Sequence, residues 1–353
     1  MDEDTQDGRE NEARDVGTLA HALEEKQMQL LKERCRGKQI YLMVDYDGTL
    51  APIVQDPSAA HISEETRDLL RALARFFPVA VVSGRSLIKL YQFVQLDSVY
   101  YAGSHGFEIA GPFAFSGAQA SDAGSEQQNG TDRTACGGRA IDKSRALYYC
   151  AAEDCLPALQ KAAALLKDSV LPGLHMVPEL LIEDNVFSLS VHYRQYLGSL
   201  PANEPSRVPE LLQAIDSLVL SELPKLRRAE GKMVAEIRPR IDWDKGYAVE
   251  FLLNHVATHG AQVSAMSARD AKTNSDPVQC FPLYIGDDVT DEDAFSYIRR
   301  TKTGLSIVVH DPHVDTTRIS THADFTLHDP KQVHAFLERL LYDDSFVRAN
   351  AWD

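Results

Sequence analysis

Two aspartates two residues apart, Asp45 and Asp47, stand in the segment Asp45-Tyr46-Asp47-Gly48-Thr49-Leu50, directly after the apolar run Ile40 to Val44. Carboxylates at i and i+2 leaving a strand point roughly the same way. One can attack an electrophile while the other handles a proton. Gly48 lets the chain turn away with no side chain in the path. An ordinary acidic turn has the same outline when taken alone.

A second group, Ser83-Gly84-Arg85, follows the apolar run Val79 to Val82. A hydroxyl and a backbone N–H at a strand-to-helix turn form a perch for phosphate, and a helix-capping serine shares that pattern. Lys245-Gly246, after Trp243-Asp244, places a compact positive charge at the start of a helix, where it can neutralise a phosphoryl group. The fourth group, Gly286-Asp287-Asp288-Val289-Thr290-Asp291-Glu292-Asp293, follows Leu283 to Ile285 and holds five acids in seven positions. At about 4 Å and an effective dielectric of roughly 20, each like-charge pair costs about 4 kcal/mol. A hard divalent cation relieves this repulsion, and oxygen-only ligands favour Mg²⁺ over zinc. The later acids also suit the first turn of a helix. Both readings hold together if Asp287 takes the metal and Asp291 to Asp293 open the helix.

Elements with the right ends must carry these groups. Ile40 to Val44, Val79 to Val82 and FPLYIG are continuous apolar runs, which suit strands buried on both faces in a parallel sheet. SEETRDLLRALARFF opens on Ser63, a good helix cap, and runs at helical period. Further helices are expected near LIKLYQFV, over YAVEFLLNHVATHG and from about Thr290, with YYAGSHG and LSIVV as strands. Strands alternating with helices give βαβ units. Upstream, Leu19, Leu23, Leu30 and Leu31 fall at helical spacing and predict an amphipathic helix from Val16 to Arg36. Residues 1–14 are charged and read as disordered, and the Gly-, Ser- and Gln-rich stretch from 111 to about 143 reads as a flexible insertion. ALYYCAAEDCLPALQKAAALLK is expected to be a helix that Pro157 breaks or kinks. FSLSVHYR and MVAEIRP alternate as strands do, with PELLQAIDSLVLSEL as a helix between them.

Composition narrows the function. With 52 acidic against 36 basic residues, a net charge of -16 and no basic stripe, nucleic acid is not an expected partner. No run approaches the roughly 20 apolar residues of a membrane helix. The acidic N-terminus lacks the apolar core of a signal peptide, so the expected address is the cytoplasm. Five scattered cysteines form no metal-ligand spacing and read as reduced thiols.

The order of the four groups, each at an expected strand or helix end, resembles the four motifs of the haloacid-dehalogenase superfamily. Within it the chain resembles the trehalose-6-phosphate phosphatases, particularly the single-domain plant type. The matching segments are DYDGTLAPI, SGR, YYAGSHG, VHYR, EIRPRIDWDKG and GDDVTDEDAF, which span about residues 40–330. The resemblance implies an α/β fold: a doubly wound parallel-sheet core over residues 36–110 and 239–348, behind an acidic tail and helix over 1–35. The insertion and an α/β cap domain fill 111–238.

It implies Asp45 as the nucleophile that forms an aspartyl-phosphate and Asp47 as general acid, then base. Lys245 and Ser83, with Gly84 and Arg85, hold the phosphoryl group. Mg²⁺ is implied on Asp45, on the Asp47 backbone carbonyl and on Asp287, with Asp291 in support. Glu183, Asn185, Arg194 and Glu236 are the implied sugar contacts in the cap, for a small-molecule substrate, trehalose 6-phosphate. Asn185 departs from the pattern, because other members carry Lys there. The rivals are a phosphatase for another sugar phosphate such as sucrose phosphate, a sugar-phosphate sensor without turnover, and a phospho-receiver domain. The last lacks an Asp at i+2 and a cap of this size.

Overall fold

In the strand Gln39–Asp45, residues Ile40 to Val44 are wholly buried, although side chains on a strand alternate between faces. The two faces meet different cores. Ile40, Leu42 and Val44 pack in one apolar cluster, Tyr41 and Met43 in another. That is why the run is apolar without alternation. The first cluster is completed by helices Glu25–Cys35, Glu64–Leu73, Leu87–Val94 and Pro330–Tyr342, through residues such as Leu31, Leu70, Leu90 and Phe336. The second is completed by a helix over 245–255 and by Glu292–Thr301, through Val249, Leu252, Phe295 and Ile298. The sheet is therefore wound with helices on both faces, as expected.

The computed structural model describes residues 12–54, 56–112, 133–136, 139–142, 147–174, 180–199, 206–231, 233–255, 279–311 and 320–347. The chain divides into two compact units, Met1–Tyr149 with Trp243–Asp353, and Cys150–Asp242. The eight-stranded sheet runs in the order Phe325–Leu327, Leu305–Val309, Cys280–Gly286, Gln39–Asp45, Val79–Val82, Tyr100–Gly103, Glu108–Ala110 and Tyr148–Cys150. The first six strands are parallel to their neighbours, and Glu108–Ala110 is antiparallel to Tyr100–Gly103. After Asp45 the chain builds the sheet outward on one side, and after Gly286 on the other. The crevice of a doubly wound sheet opens where the order reverses, outside the carboxyl ends of the strands. Here those ends carry Asp45 and Asp287.

The Cys150–Asp242 unit holds a four-stranded antiparallel sheet in the order Leu226–Gly231, Val234–Pro239, Leu189–His192, Leu181–Asp184. Leu189, Val191, Ala235 and Ile237 are buried on one face. Helices Leu156–Leu165 and Val208–Glu222 pack against this sheet.

Several expectations need correction. The N-terminal helix starts at Glu25, not Val16. Before it, Arg14–Asp15 pairs with Ser320–Thr321, and the Asp15 side chain accepts from the Gly17 N–H to cap a 3₁₀ turn, Val16–Thr18. A side chain that satisfies the local backbone in this way competes with helix. Met28, Leu31 and Cys35 are buried on the helix, while Leu30 faces out. Tyr148–Cys150 is a strand rather than the start of a helix, and Pro157 lies in the first turn of Leu156–Leu165, where its missing N–H is harmless. Within the stretch read as an unstructured insertion, Arg133–Cys136 pairs antiparallel with Arg139–Asp142. The sequence signal was Gly137-Gly138 between two short segments. The rest of that stretch from 113 to 146, residues 1–11 and the end of the helix over YAVEFLLNHVATHG lie outside the described residues. Strands Leu181–Asp184 and Leu226–Gly231 were not anticipated. Among the described residues no helix is long and apolar enough to cross a membrane.

Candidate active site

Asp45 is the last residue of its strand and is paired in register with Val82 of the neighbouring strand, which places Ser83 just beyond it. The chain then folds back at once. The Gly48 N–H donates to the Ala51 carbonyl at 2.8 Å, and the Leu50 and Ala51 N–H groups both donate to the Tyr46 carbonyl, at 3.0 and 2.9 Å. Gly48 has φ +82°, and a Cβ there would lie 2.1 Å from Oδ2 of Asp287. The glycine serves both the turn and the close approach of that carboxylate. Thr49 holds the same carboxylate from the other side, its hydroxyl donating to Oδ1 at 3.2 Å.

Lys245 and Asp45 are 200 residues apart in sequence, yet Nζ donates to Asp45 Oδ1 at 2.7 Å. It donates equally closely, at 2.7 Å, to Asp291 Oδ1. All three side chains are buried. Burial by itself would lower the Lys245 pKa, but the Asp291 and Asp45 carboxylates more than offset it and hold the amine charged. Asp291 is fully engaged by the protein. Its Oδ1 also accepts from the Tyr284 hydroxyl at 2.7 Å, while Oδ2 accepts the N–H groups of Asp287 and Asp288 at 3.1 and 2.9 Å. The same residue thus closes a capping box with Asp288 before the helix Glu292–Thr301. The helix-start reading of this acidic run and its location in the crevice are both seen.

Asp45, Asp287 and Asp291 offer oxygens that all lie within 4.8 Å of one another. Burial pushes the Asp45 carboxyl up, and it pushes Asp287 up to about 7, with the Asp291 charge adding to the effect. Three carboxylates share one lysine, which leaves a surplus of negative charge in a buried place. A hard divalent cation on oxygen donors fits that surplus. Because Asp291 already carries four protein donors, Asp45 and Asp287 are the side chains best disposed to take it.

Ser83 is buried, and its Oγ accepts from the Arg85 N–H at 3.1 Å. Its own N–H donates to the Ala102 carbonyl and its carbonyl accepts from His105, both at 2.9 Å. Gly84 is needed against the His105 ring, since a Cβ would come within 2.8 Å of it. Arg85 turns to Asp47, with Nε on Oδ2 at 2.7 Å and Nη2 on Oδ1 at 2.6 Å.

In the Cys150–Asp242 unit, register brings two of the four expected sugar contacts onto one face. Ser190 is opposite both Glu183 and Glu236, so the two acids flank it on adjacent strands. His192 Nε2 lies 3.3 Å from Glu183 Oε2, and Arg238 pairs with Glu236. Asn185 is buried at the turn after Asp184, its N–H on the Ser188 carbonyl at 2.9 Å. Arg194 is exposed at the first position of the helix Arg194–Ser199. The residues missed in sequence are Thr49, Tyr284 and His105. Tyr284 had a signal: it lies two residues before Gly286 in an apolar strand, where a buried hydroxyl needs a partner.

A parallel sheet with acids at two adjacent strand ends and a lysine between them is the haloacid-dehalogenase-like α/β core. A solved structure of the Candida albicans trehalose-6-phosphate phosphatase C-terminal domain has the same fold, with a TM-score of 0.58 over 92% of this chain and 98% of that one, at 20% identity. The sequence profile described as trehalose-phosphatase matches residues 43–331. Trehalose-phosphate phosphatase B of Arabidopsis thaliana is 38% identical over 306 residues, 87% of this chain and 67% of that protein. Trehalose 6-phosphate phosphatase RA3 of Zea mays is 36% identical over 314 residues, 89% and 73% of the respective chains. The chain belongs to the trehalose-phosphatase family, whose members are phosphoric monoester hydrolases.

Proposed function

We propose that this chain hydrolyses trehalose 6-phosphate to trehalose and phosphate in two steps centred on Asp45. The observation that carries the reading is the buried Asp45 at a strand end in the crevice, one oxygen fixed by Lys245 at 2.7 Å. In the first step the Asp45 carboxylate attacks phosphorus, the bond from phosphorus to the sugar oxygen breaks, and Asp47 gives its proton to that oxygen. In the second, water attacks the aspartyl-phosphate, its proton passes to Asp47, and the bond from phosphorus to Asp45 breaks to restore the carboxylate. Lys245 offsets charge on the phosphoryl oxygens, which Ser83 and the backbone at Gly84 hold. Asp45, Asp287 and the Asp47 main-chain carbonyl would hold Mg²⁺, which would supply further positive charge at the phosphoryl group. Asp291 supports both by fixing Lys245 and the turn at Asp287.

Glu183, Asn185, Arg194 and Glu236 bind the sugar hydroxyls. Nucleic acid is not a partner of so acidic a chain. The cytoplasm is the proposed compartment, supported by the scattered spacing of the five cysteines, which reads as reduced thiols.

Acid-quenching the wild-type reaction and mapping peptides by mass should place a phosphoryl group on Asp45. The Asp45→Asn variant should carry none and show no turnover. Turnover within about tenfold of wild type, about 1.4 kcal/mol of barrier, would remove Asp45 from the role.

A further inference from the structure

Arg85 belongs to the turn whose sequence suggests a phosphate contact, but its side chain is committed elsewhere. Its guanidinium meets the Asp47 carboxylate fork to fork, and each carboxylate oxygen takes one donor, at 2.7 and 2.6 Å. The guanidinium carbon also lies 4.6 Å from the centre of the Phe93 ring and 5.5 Å from that of Tyr46. Tyr46 is itself anchored, its hydroxyl donating to the Ala60 carbonyl at 2.7 Å. The Arg85 backbone is held at both ends, its N–H on Ser83 Oγ at 3.1 Å and its carbonyl accepting from Ser104 at 2.6 Å. Ser104 and His105, which make the contacts to this turn, sit at φ 51° and 58°, a region uncommon for residues other than glycine. The Arg85 side chain is 13% exposed and that of Asp47 is 41% exposed. The buried, stacked partner thus aims the exposed one.

We propose that Arg85 is the positioning residue for Asp47 and not a ligand of the phosphoryl group. The inference rests on the reading of Asp47 as the proton carrier. Proton delivery requires the carboxylate within hydrogen-bond reach of the leaving oxygen and in the right orientation. A planar fork fixes the plane of a carboxylate, which a point charge cannot do. Losing the fork should therefore harm substrates whose leaving oxygen must take a proton as its bond to phosphorus breaks. It should spare those whose leaving group departs as a stable anion. Losing a phosphoryl ligand would harm both alike.

The experiment compares kcat/KM for trehalose 6-phosphate and p-nitrophenyl phosphate in wild type, Asp47→Asn, Arg85→Gln and Arg85→Lys, with saturating Mg²⁺. Because the leaving group is lost in the first step, kcat/KM reports transfer to Asp45. Circular dichroism and a thermal melt establish that each variant is folded. Arg85→Gln should lower kcat/KM for trehalose 6-phosphate about 100-fold or more, the usual scale of general acid catalysis, and that for p-nitrophenyl phosphate by less than about fivefold. Arg85→Lys keeps the charge without the fork and should show the same selectivity at smaller amplitude; it decides the matter if Arg85→Gln does not fold. Equal losses on both substrates in the Arg85 variants, beside a selective loss in Asp47→Asn, would overturn the inference. A non-selective Asp47→Asn would instead overturn the reading of Asp47 itself, and the inference with it.

Discussion

Nζ of Lys245 lies 2.7 Å from Oδ1 of Asp45 and the same distance from Oδ1 of Asp291. One buried cation therefore ties the end of the Gln39–Asp45 strand to the turn that follows Cys280–Gly286. The arrangement fixes the Asp45 carboxylate and makes the acidic turn part of the core, since Asp291 is fully buried.

Removing one member of a buried ion cluster leaves the others uncompensated, typically at about 3–5 kcal/mol. Asp291→Ala should lose stability on that scale, because it takes one of two carboxylate partners from Lys245 and removes the acceptor of the Tyr284 hydroxyl and of two backbone N–H groups. Urea denaturation measures it. A loss below about 1 kcal/mol, within the range of exposed ion pairs, would contradict the cluster's structural role.

Asp287 gives the metal-free protein a pH dependence whose sign follows from its burial. Its pKa is raised from 3.8 to about 7, so between those values the folded state holds a proton that the unfolded state has released. Stability from this group is present at low pH and is lost as pH rises toward 7. Asp287→Asn removes the ionisation. In chelator, the variant should gain melting temperature relative to wild type between pH 5 and pH 8. Mg²⁺ at pH 8 should then raise the melting temperature of wild type but not of the variant. Equal pH slopes and equal Mg²⁺ responses in the two proteins would refute the assignment.

Glu183 and Glu236, the proposed sugar contacts, flank Ser190 on one face of the antiparallel sheet. Hydrogen bonds to charged groups contribute about 1.5–3 kcal/mol each. Glu183→Ala and Glu236→Ala should each lower kcat/KM for trehalose 6-phosphate by about 10- to 150-fold. The corresponding value for p-nitrophenyl phosphate should change little. Equal losses on both substrates would show that this face does not read the sugar.

Buried three-residue strands, Glu108–Ala110 and Phe325–Leu327, were not legible, whereas the sheet showed where a longer strand is buried on both faces. Ile40 to Val44, Val79 to Val82 and Leu305–Val309 are apolar for that reason, and Ser63 announces its helix by a hydroxyl that accepts from the Thr66 N–H. Leu226–Gly231 escaped because it is an edge strand with polar residues along it. The Tyr148–Cys150 strand was absorbed into a helical pattern, since three residues are too few to show a period of their own. In the site, residue types and strand ends were readable, but partners were not. Lys245 and Asp45 meet across 200 residues. The place of Arg85 beside Ser83 and Gly84 does not tell that its side chain reaches the Asp47 carboxylate.

Phosphate release from trehalose 6-phosphate, glucose 6-phosphate and sucrose 6-phosphate by the wild-type chain, with Mg²⁺ and in chelator, decides whether the site turns over trehalose 6-phosphate. A site that pairs several substrate hydroxyls rejects an analogue lacking them by about 10⁴-fold or more. The expected result is rapid, Mg²⁺-dependent release from trehalose 6-phosphate, release from glucose 6-phosphate lower by about that factor, and little from sucrose 6-phosphate. Comparable rates on all three sugars, or full activity in chelator, would contradict the account.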